Sequence, residues 1–452
     1  MIYKTVIMKA KQINRRDFLT KSSIGLVGVS AGLINRGSIK EGFHFSKGTG
    51  LPGIKEYRVL GRTGFKVSDI GCGPVSISNE NVLKAVLDAG INFIDTAEFY
   101  GNGNNELMVG KAIKGINRSS IFLNTKIGVS ENDTKENILT RVRKCLERLD
   151  TDYLDGLTLW NAGSVTEIKN KAFHNAFDQL KNEGRVKYCG VSCHGSNMGT
   201  ESKENMEKII GNAIEDGRFD LVLFVYNYVQ QEMGKNILKA CTKKNIGTTL
   251  MKTDPFGGTY LSVLEFVKNY HAENKPVPEN ARKVYDTIID KQTKAESFLQ
   301  KDQLYDSNAR REAAISFVLN EPSVHSVLIS FKTFDDITDY VNLSGTRMTT
   351  KNISTINTLK ETCDYLYCRH ACGLCESYCP YEVPINTIMR YNHYFMAQGR
   401  EKYAIQKYYE LAGAKSDKCL DCEGFCQTVC PYGVSIHALL AVAHNNLSLK
   451  IT

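Results

Sequence analysis

The 452 residues leave room for two or three domains and a large core, and 42% hydrophobic with 23% charged residues is the ordinary balance of a soluble globular chain. The formal charge of +8 is misleading, because Lys4, Lys9, Lys11, Arg15, Arg16 and Lys21 against Asp17 give residues 1–34 a net +5, leaving +3 for the rest. Charge therefore gives no support to a nucleic-acid partner.

Residues 1–52 read as a leader and linker. Asn14-Arg15-Arg16-Asp17-Phe18-Leu19-Thr20 precedes a mildly apolar stretch, 22–34, too short to span a bilayer well. Twin arginines before a Phe-Leu pair and a short apolar region resemble a twin-arginine export signal. The resemblance implies export of a folded protein to a periplasmic or membrane-associated location, with membrane association through this segment alone. A disordered basic arm on a cytoplasmic protein is the alternative.

Residues 53–350 alternate short apolar runs with amphipathic helical patterns. Tyr57–Val67 reads as a hairpin with a Gly-bounded turn, followed by candidate strands at 67–71, 92–95, 121–125, 154–159, 188–192, 221–225, 248–251 and 324–329. Helical patterns such as 81–89, 106–114, 135–149 and 172–184 separate them, with a polar helical insertion at 270–310. Eight such units predict an α/β fold, a closed (β/α)8 TIM barrel. An open doubly wound sheet competes, but no Gly-x-Gly-x-x-Gly follows the first strand.

The polar residues fall where a barrel carries its chemistry, at the C-terminal strand ends. The second strand leads into Asp95-Thr-Ala-Glu-Phe-Tyr100-Gly-Asn-Gly with Asn105-Glu106 beyond, and the third holds Leu123-Asn-Thr-Lys126. With Gly190-Val-Ser192, and Met251-Lys252 before Gly257-Gly258, this resembles the aldo-keto reductases over roughly residues 57–440. The resemblance implies Tyr100 as general acid/base, Lys126 as its tuner and Asp95 as the partner that holds Lys126 charged. Simple chemistry agrees: a free phenol titrates near 10, and a neighbouring ammonium favours the phenolate.

The family normally carries His at the end of the fourth strand, where this chain has Trp160, its only tryptophan. An indole N–H donates a hydrogen bond but shuttles no proton, so Trp160 reads as a pocket wall and a donor to the substrate oxygen. The resemblance also implies NADP(H), with Ser192, Asn227 and Lys252 near the nicotinamide and Ser330 and Lys332 near the adenosine phosphate. Ser330 stands where the family usually has Gly, and Lys332 reads equally as a solvated surface charge. His194 and Cys193 read as pocket or loop residues.

Residues 351–452 contain two cysteine runs, Cys368-x3-Cys372-x2-Cys375-x3-Cys379-Pro and Cys419-x2-Cys422-x3-Cys426-x3-Cys430-Pro. Three closely spaced cysteines cap three corners of an iron–sulfur cube, and a fourth before Pro closes a neighbouring one, so two runs predict two 4Fe-4S clusters. By analogy with two-cluster ferredoxins the sets are crossed: Cys368, Cys372, Cys375 and Cys430 on one cube, Cys419, Cys422, Cys426 and Cys379 on the other. Structural zinc and a disulfide framework are the alternatives. Cys379-Pro-Tyr-Glu-Val-Pro-Ile echoes Cys430-Pro-Tyr-Gly-Val-Ser-Ile, and 385–412 reads as helical, predicting a mainly helical dicluster ferredoxin domain. The chain thus resembles the aldo-keto reductase branch with such a domain. Oxidised cubes carry roughly −2 apiece with their thiolates, bringing the mature protein near neutrality. Cys72, Cys145, Cys189, Cys193, Cys241 and Cys363 remain, most of them on apolar runs where a free Cys is a small core residue.

The expected function is oxidation or reduction of a small carbonyl or alcohol compound, sugars included, while the clusters pass single electrons to a redox partner protein. Nicotinamides move electron pairs and cubes move single electrons, which leaves a flavin open although no flavin motif is visible. The rival reading makes the barrel a degenerate scaffold on an electron-transfer protein. A blander one has the clusters merely brace the C-terminal helices.

Overall fold

The computed structural model describes residues 52–194, 204–256, 272, 279–301 and 307–448, apart from 371, 399 and 421. The twin-arginine stretch, Gly257-Gly258 and parts of the 270–310 insertion lie outside the described residues. Within that insertion a helix spans Glu279–Lys301.

An antiparallel hairpin comes first, β1 (Tyr57–Val59) with β2 (Lys66–Ser68), turned through Gly64 at φ 70°. The barrel strands follow: β3 (Ile70–Cys72), β4 (Phe93–Asp95), β5 (Phe122–Ile127), β6 (Leu154–Leu159), β7 (Val186–Cys193), β8 (Leu221–Val225), β9 (Gly247–Met251) and β10 (Ser326–Ile329). They pair in parallel in chain order, and β10 closes on β3 with Val327 opposite Ile70.

One boundary differs from the sequence reading. Val67 and Ser68 belong to the hairpin, Ser68 standing opposite Tyr57, and the barrel begins only at Ile70. The chain is pinned between them at Asp69, whose carboxylate accepts from Ser344 Oγ and Gly345 N, each at 2.7 Å. Apolar alternation through this stretch cannot reveal an anchor more than 270 residues away.

Side-chain caps fix where the crossover helices begin. Asn79, Thr134, Asn170 and Asn205 each accept a first-turn backbone N–H. The buried stripes of these helices pack on the outward faces of the strands in one aliphatic core. Leu60 and Val67 of the hairpin region join Phe93, Phe122 and Leu221 in a separate cluster, Phe93 stacking on Phe122 at 5.3 Å. The hairpin so plugs the N-terminal end of the barrel, and the opposite end is left for polar side chains.

The helix Thr350–Cys363 opens with a capping box of Thr349 and Asn352, and its Ile356, Leu359 and Cys363 pack with Ala313 and Ala314 of the helix Ser307–Leu319. Beyond it the chain is mainly helical, with helices Ile385–Gln398, Glu401–Tyr409, Phe425–Thr428 and Ile436–Leu447 and short 3-10 turns between. This region has its own core, including Ile388, Val434, Leu439 and Leu440.

The sequence echo is also a structural one. Glu382 N donates to Cys379 O at 3.1 Å and Gly433 N to Cys430 O at 3.2 Å, while Ile385 N to Val383 O and Ile436 N to Val434 O both measure 2.8 Å. Glu382 and Gly433 share the left-handed region, φ 53° and 61°. No described helix is long and apolar enough to cross a membrane.

Candidate active site

Two glycines make room for a polar layer inside the barrel. A Cβ on Gly156 of β6 would lie 2.3 Å from Asn124 Oδ1, and one on Gly190 of β7 would lie 2.3 Å from Thr158 Oγ1. With that space free, Thr158 Oγ1 donates to Asn124 Oδ1 at 2.9 Å, and Asn124 Nδ2 donates to Asp95 Oδ1. The other oxygen of Asp95 takes the Lys126 ammonium, which also donates to Thr96 O at 2.7 Å. Lys126 is 1% and Asp95 4% exposed. Burial works against the ammonium, yet Asp95 and then Tyr100 outweigh it and hold Lys126 above its ordinary range. Lys126 Nζ lies 5.2 Å from the centroid of the Tyr100 ring.

Tyr100 is fixed by its loop. Gly101, Asn102 and Gly103 are all left-handed, at φ 57°, 53° and 88°, which turns the chain back on itself just past the phenol. Glu98 clamps the loop, accepting from Arg141 Nη2 at 2.5 Å, Arg141 Nε at 3.0 Å and Gly128 N at 3.1 Å. Thr96 Oγ1 donates to Asn105 Oδ1, and Asn105 Nδ2 to Pro74 O, tying this loop to the one after β3. Sequence reasoning noticed Glu98, Asn105 and Asn124 only as motif letters. The available signal was polar side chains flanked by residues that must be buried.

Trp160 follows β6 and packs its indole on Phe99, with ring centroids 5.2 Å apart. Ser192 Oγ accepts from Asn161 N at 2.8 Å, and the His194 ring donates from Nδ1 to Asn161 Oδ1 at 2.6 Å. Burial, then the charges of Lys252, Arg390, Lys126 and Arg400, push His194 well below its ordinary range.

The remaining predicted cofactor residues already have partners. Asn227 Nδ2 donates to Lys252 O at 3.0 Å and to Tyr367 Oη at 3.2 Å, while its Oδ1 accepts from Val229 N and Gln230 N. All four hydrogen-bonding positions of the amide are used. Lys252, at φ 56°, turns toward the C-terminal region: its Nζ is 3.3 Å from His370 Nδ1 and 3.5 Å from Tyr394 Oη. Ser330 Oγ donates to Gly73 O at 2.8 Å, and Lys332 is exposed, its N–H bound by Asp336. As arranged, Asn227 does not fit a nicotinamide carboxamide unless Tyr367 withdraws.

The cysteines gather in the crossed sets. Cys368, Cys372, Cys375 and Cys430 line one cavity, with Tyr432 and Ile436 among its walls. Burial, followed by its three thiol neighbours, pushes Cys368 well above its ordinary range. Burial and then Cys426, Cys379 and Cys422 push Cys419 up to about 12, which marks the second set as neighbours too. N–H groups aim at the sulfurs: Asn386 Nδ2 at Cys368 (3.5 Å), Val383 N at Cys379 (3.4 Å) and Gly424 N at Cys422 (3.4 Å). Among the described residues no His, Cys, Asp or Glu group is gathered for a single metal ion. A cube offers one iron to each thiolate, so its cysteines surround a volume and not a point. Four thiols around a cavity fit such a group. The other six cysteines are all buried.

A closed parallel barrel with a buried Asp–Lys pair beside a tyrosine at its C-terminal mouth defines the class. The chain belongs to the aldo/keto reductase family, whose model matches residues 76–361. It is 34% identical over 169 residues to an uncharacterized oxidoreductase, YqkF, of Bacillus subtilis, covering 34% of this chain and 54% of that protein. Over 154 residues it is 32% identical to L-galactose dehydrogenase of Arabidopsis thaliana (30% and 48% covered), and over 211 residues 26% identical to the NADH-specific methylglyoxal reductase of Escherichia coli (41% and 61%). The chain thus spans roughly half to three fifths of these relatives' lengths. Among solved structures, aldo-keto reductase AKR11C1 from Bacillus halodurans, in holo form, aligns with a TM-score of 0.48 at 22% identity, covering 67% of this chain and 96% of that one.

Proposed function

We infer that the chain is an iron–sulfur oxidoreductase of aldo/keto reductase type, acting at the barrel mouth on a small carbonyl or alcohol compound, sugars included. The observation that carries this reading is the buried Lys126 ammonium, paired with Asp95 and 5.2 Å from the Tyr100 ring. A carbonyl under reduction gathers negative charge on oxygen and needs a proton. Tyr100 gives that proton, and takes it back in the reverse direction. Lys126 stabilises the phenolate that remains, and Asp95 holds Lys126 charged and aimed. Trp160 walls the pocket and offers its indole N–H to the substrate oxygen, but it relays no proton.

The crossed cysteine sets hold two 4Fe-4S clusters, which when bound supply single electrons. A redox partner protein would exchange these electrons, and export by the twin-arginine route would follow cluster assembly. NADP(H) is the usual family reductant and the first to test.

One observation favours a second reading, an electron-transfer protein with a degenerate barrel: Asn227 and Lys252 are committed to the C-terminal region. Anaerobically purified protein separates the two. Turnover of aldehydes and sugars with NADPH, NADH or reduced viologen, falling about 10²- to 10⁴-fold in Tyr100→Phe, supports the enzyme. Clusters that reduce and reoxidise without turning over any carbonyl support the carrier.

A further inference from the structure

The mouth of the barrel is roofed by the C-terminal region, and the roof is basic. Lys252 approaches His370 and Tyr394, with its Nζ 5.1 Å from the Tyr394 ring centroid. The Arg400 guanidinium covers Tyr403 at 4.1 Å and Tyr394 at 5.4 Å. Arg390 lies one helical turn before Tyr394 on the helix Ile385–Gln398 and is only 7% exposed. His370 and His393 close the same space, their rings 5.6 Å apart.

These cations differ from Lys126 in one respect. Lys126 has Asp95, whereas among the described ion pairs no carboxylate meets Lys252, Arg390 or Arg400. Burial, then Arg390 and Arg400, push Lys252 well below its ordinary range, and no acidic group acts in the other direction. The same two arginines act on His194, on the barrel side of the mouth, and Tyr394 feels Tyr100. Lys252 directly follows β9 and the Tyr100 loop follows β4, both at C-terminal strand ends, so the basic cluster and the phenol border the same mouth of the barrel. Converging, partly buried cations with no carboxylate partner among the described residues are unfavourable unless something anionic joins them, and arginine forks suit carboxylate and phosphate.

We propose that Arg390, Arg400 and Lys252 form an anion-recognition site, contributed mostly by the C-terminal region, which grips a carboxylate or phosphate group of the substrate while its carbonyl or alcohol carbon lies at Tyr100. The proposal rests on the catalytic reading above and narrows its substrate class from small carbonyl compounds to anionic ones. It also gives the C-terminal region a role besides electron transfer, as the part of the pocket that selects the substrate.

Calorimetry on the cluster-loaded protein tests it, with inorganic phosphate and acetate as probes. Kinetics with glyceraldehyde, glyceraldehyde 3-phosphate and glyoxylate distinguish a phosphate from a carboxylate as the natural handle. Wild type should bind at least one probe and prefer the matching anionic substrate. Arg390→Gln and Arg400→Gln should each weaken that binding roughly 10- to 100-fold, Arg390→Lys should restore part of it, and Lys402→Gln, an exposed control on the next helix, should bind as wild type does. Iron content and circular dichroism exclude misfolding as the cause of any loss. Absence of binding in the wild type, or wild-type affinity in the double arginine variant, overturns the proposal. Tyr100→Phe separates it from the catalytic reading. That variant should keep the anion affinity while losing turnover, and full turnover in it overturns the catalytic reading alone.

Discussion

The barrel and the C-terminal region are held together in different ways. Branched aliphatic residues fill the space between strands and helices in the barrel, and Gly156 and Gly190 leave room for the polar layer of Asn124 and Thr158. The core of the C-terminal region is smaller, rich in tyrosine, and includes Cys375, Cys419 and Cys426. Its cysteines sit in or beside short turns between the helices. The barrel should therefore stand on hydrophobic burial alone, whereas the C-terminal region should depend on what its thiols bind.

Removing the iron of the proposed clusters breaks the comparison most sharply. Stripping the metal should expose residues 364–448 to proteolysis and abolish their unfolding transition, a loss on the order of 10 kcal/mol if the clusters contribute as structural metals do. The barrel transition, followed by circular dichroism, should persist. Simultaneous collapse of both would show that the two regions do not differ in this way.

Within the barrel the largest single-residue effect should come at Asp95. Asp95→Asn strands the buried Lys126 and should cost about 3–5 kcal/mol in denaturant unfolding. A change below about 1 kcal/mol would mean that the pair is not buried as described.

How much of this was legible in the sequence follows the range of each interaction. The eight strands, save the boundary at Val67, and the four predicted crossover helices rest on local periodicity and appear in the structure, whereas the Asp95–Lys126 pairing and the crossed cysteine sets join distant residues and were legible only through resemblance to known families. The engagement of Asn227 by Tyr367, and of Lys252 by His370 and Tyr394, joins residues 118–142 positions apart. No pattern within a window reports such contacts. The basic roof escaped notice for the same reason, since Arg390 and Arg400 sit in a helical stretch that reads only as a connection between cysteine runs.

A third prediction uses pH. Burial, then Arg58, lowers His325 to about 4. The unfolded chain binds this proton near 6.5, so the stabilisation is fully present above that pH and is lost as pH falls from about 6.5 to 4, by roughly 3 kcal/mol. Barrel unfolding followed across that window should show the slope, and His325→Gln should flatten it.

The smallest effect lies in the C-terminal repeat. Glu382 is exposed and left-handed where its counterpart is Gly433. Glu382→Gly should stabilise the C-terminal transition by about 0.5–1 kcal/mol, whereas the reverse change at Gly433 should destabilise it.

The central claim is that Tyr100, supported by the Lys126–Asp95 pair, moves the proton at the barrel mouth. Single-turnover rates of carbonyl reduction in wild type, Tyr100→Phe and Lys126→Met, at matched iron content, test it most directly. Both variants should react about 10²-fold or more slowly while still binding substrate. Wild-type rates in Tyr100→Phe would contradict it.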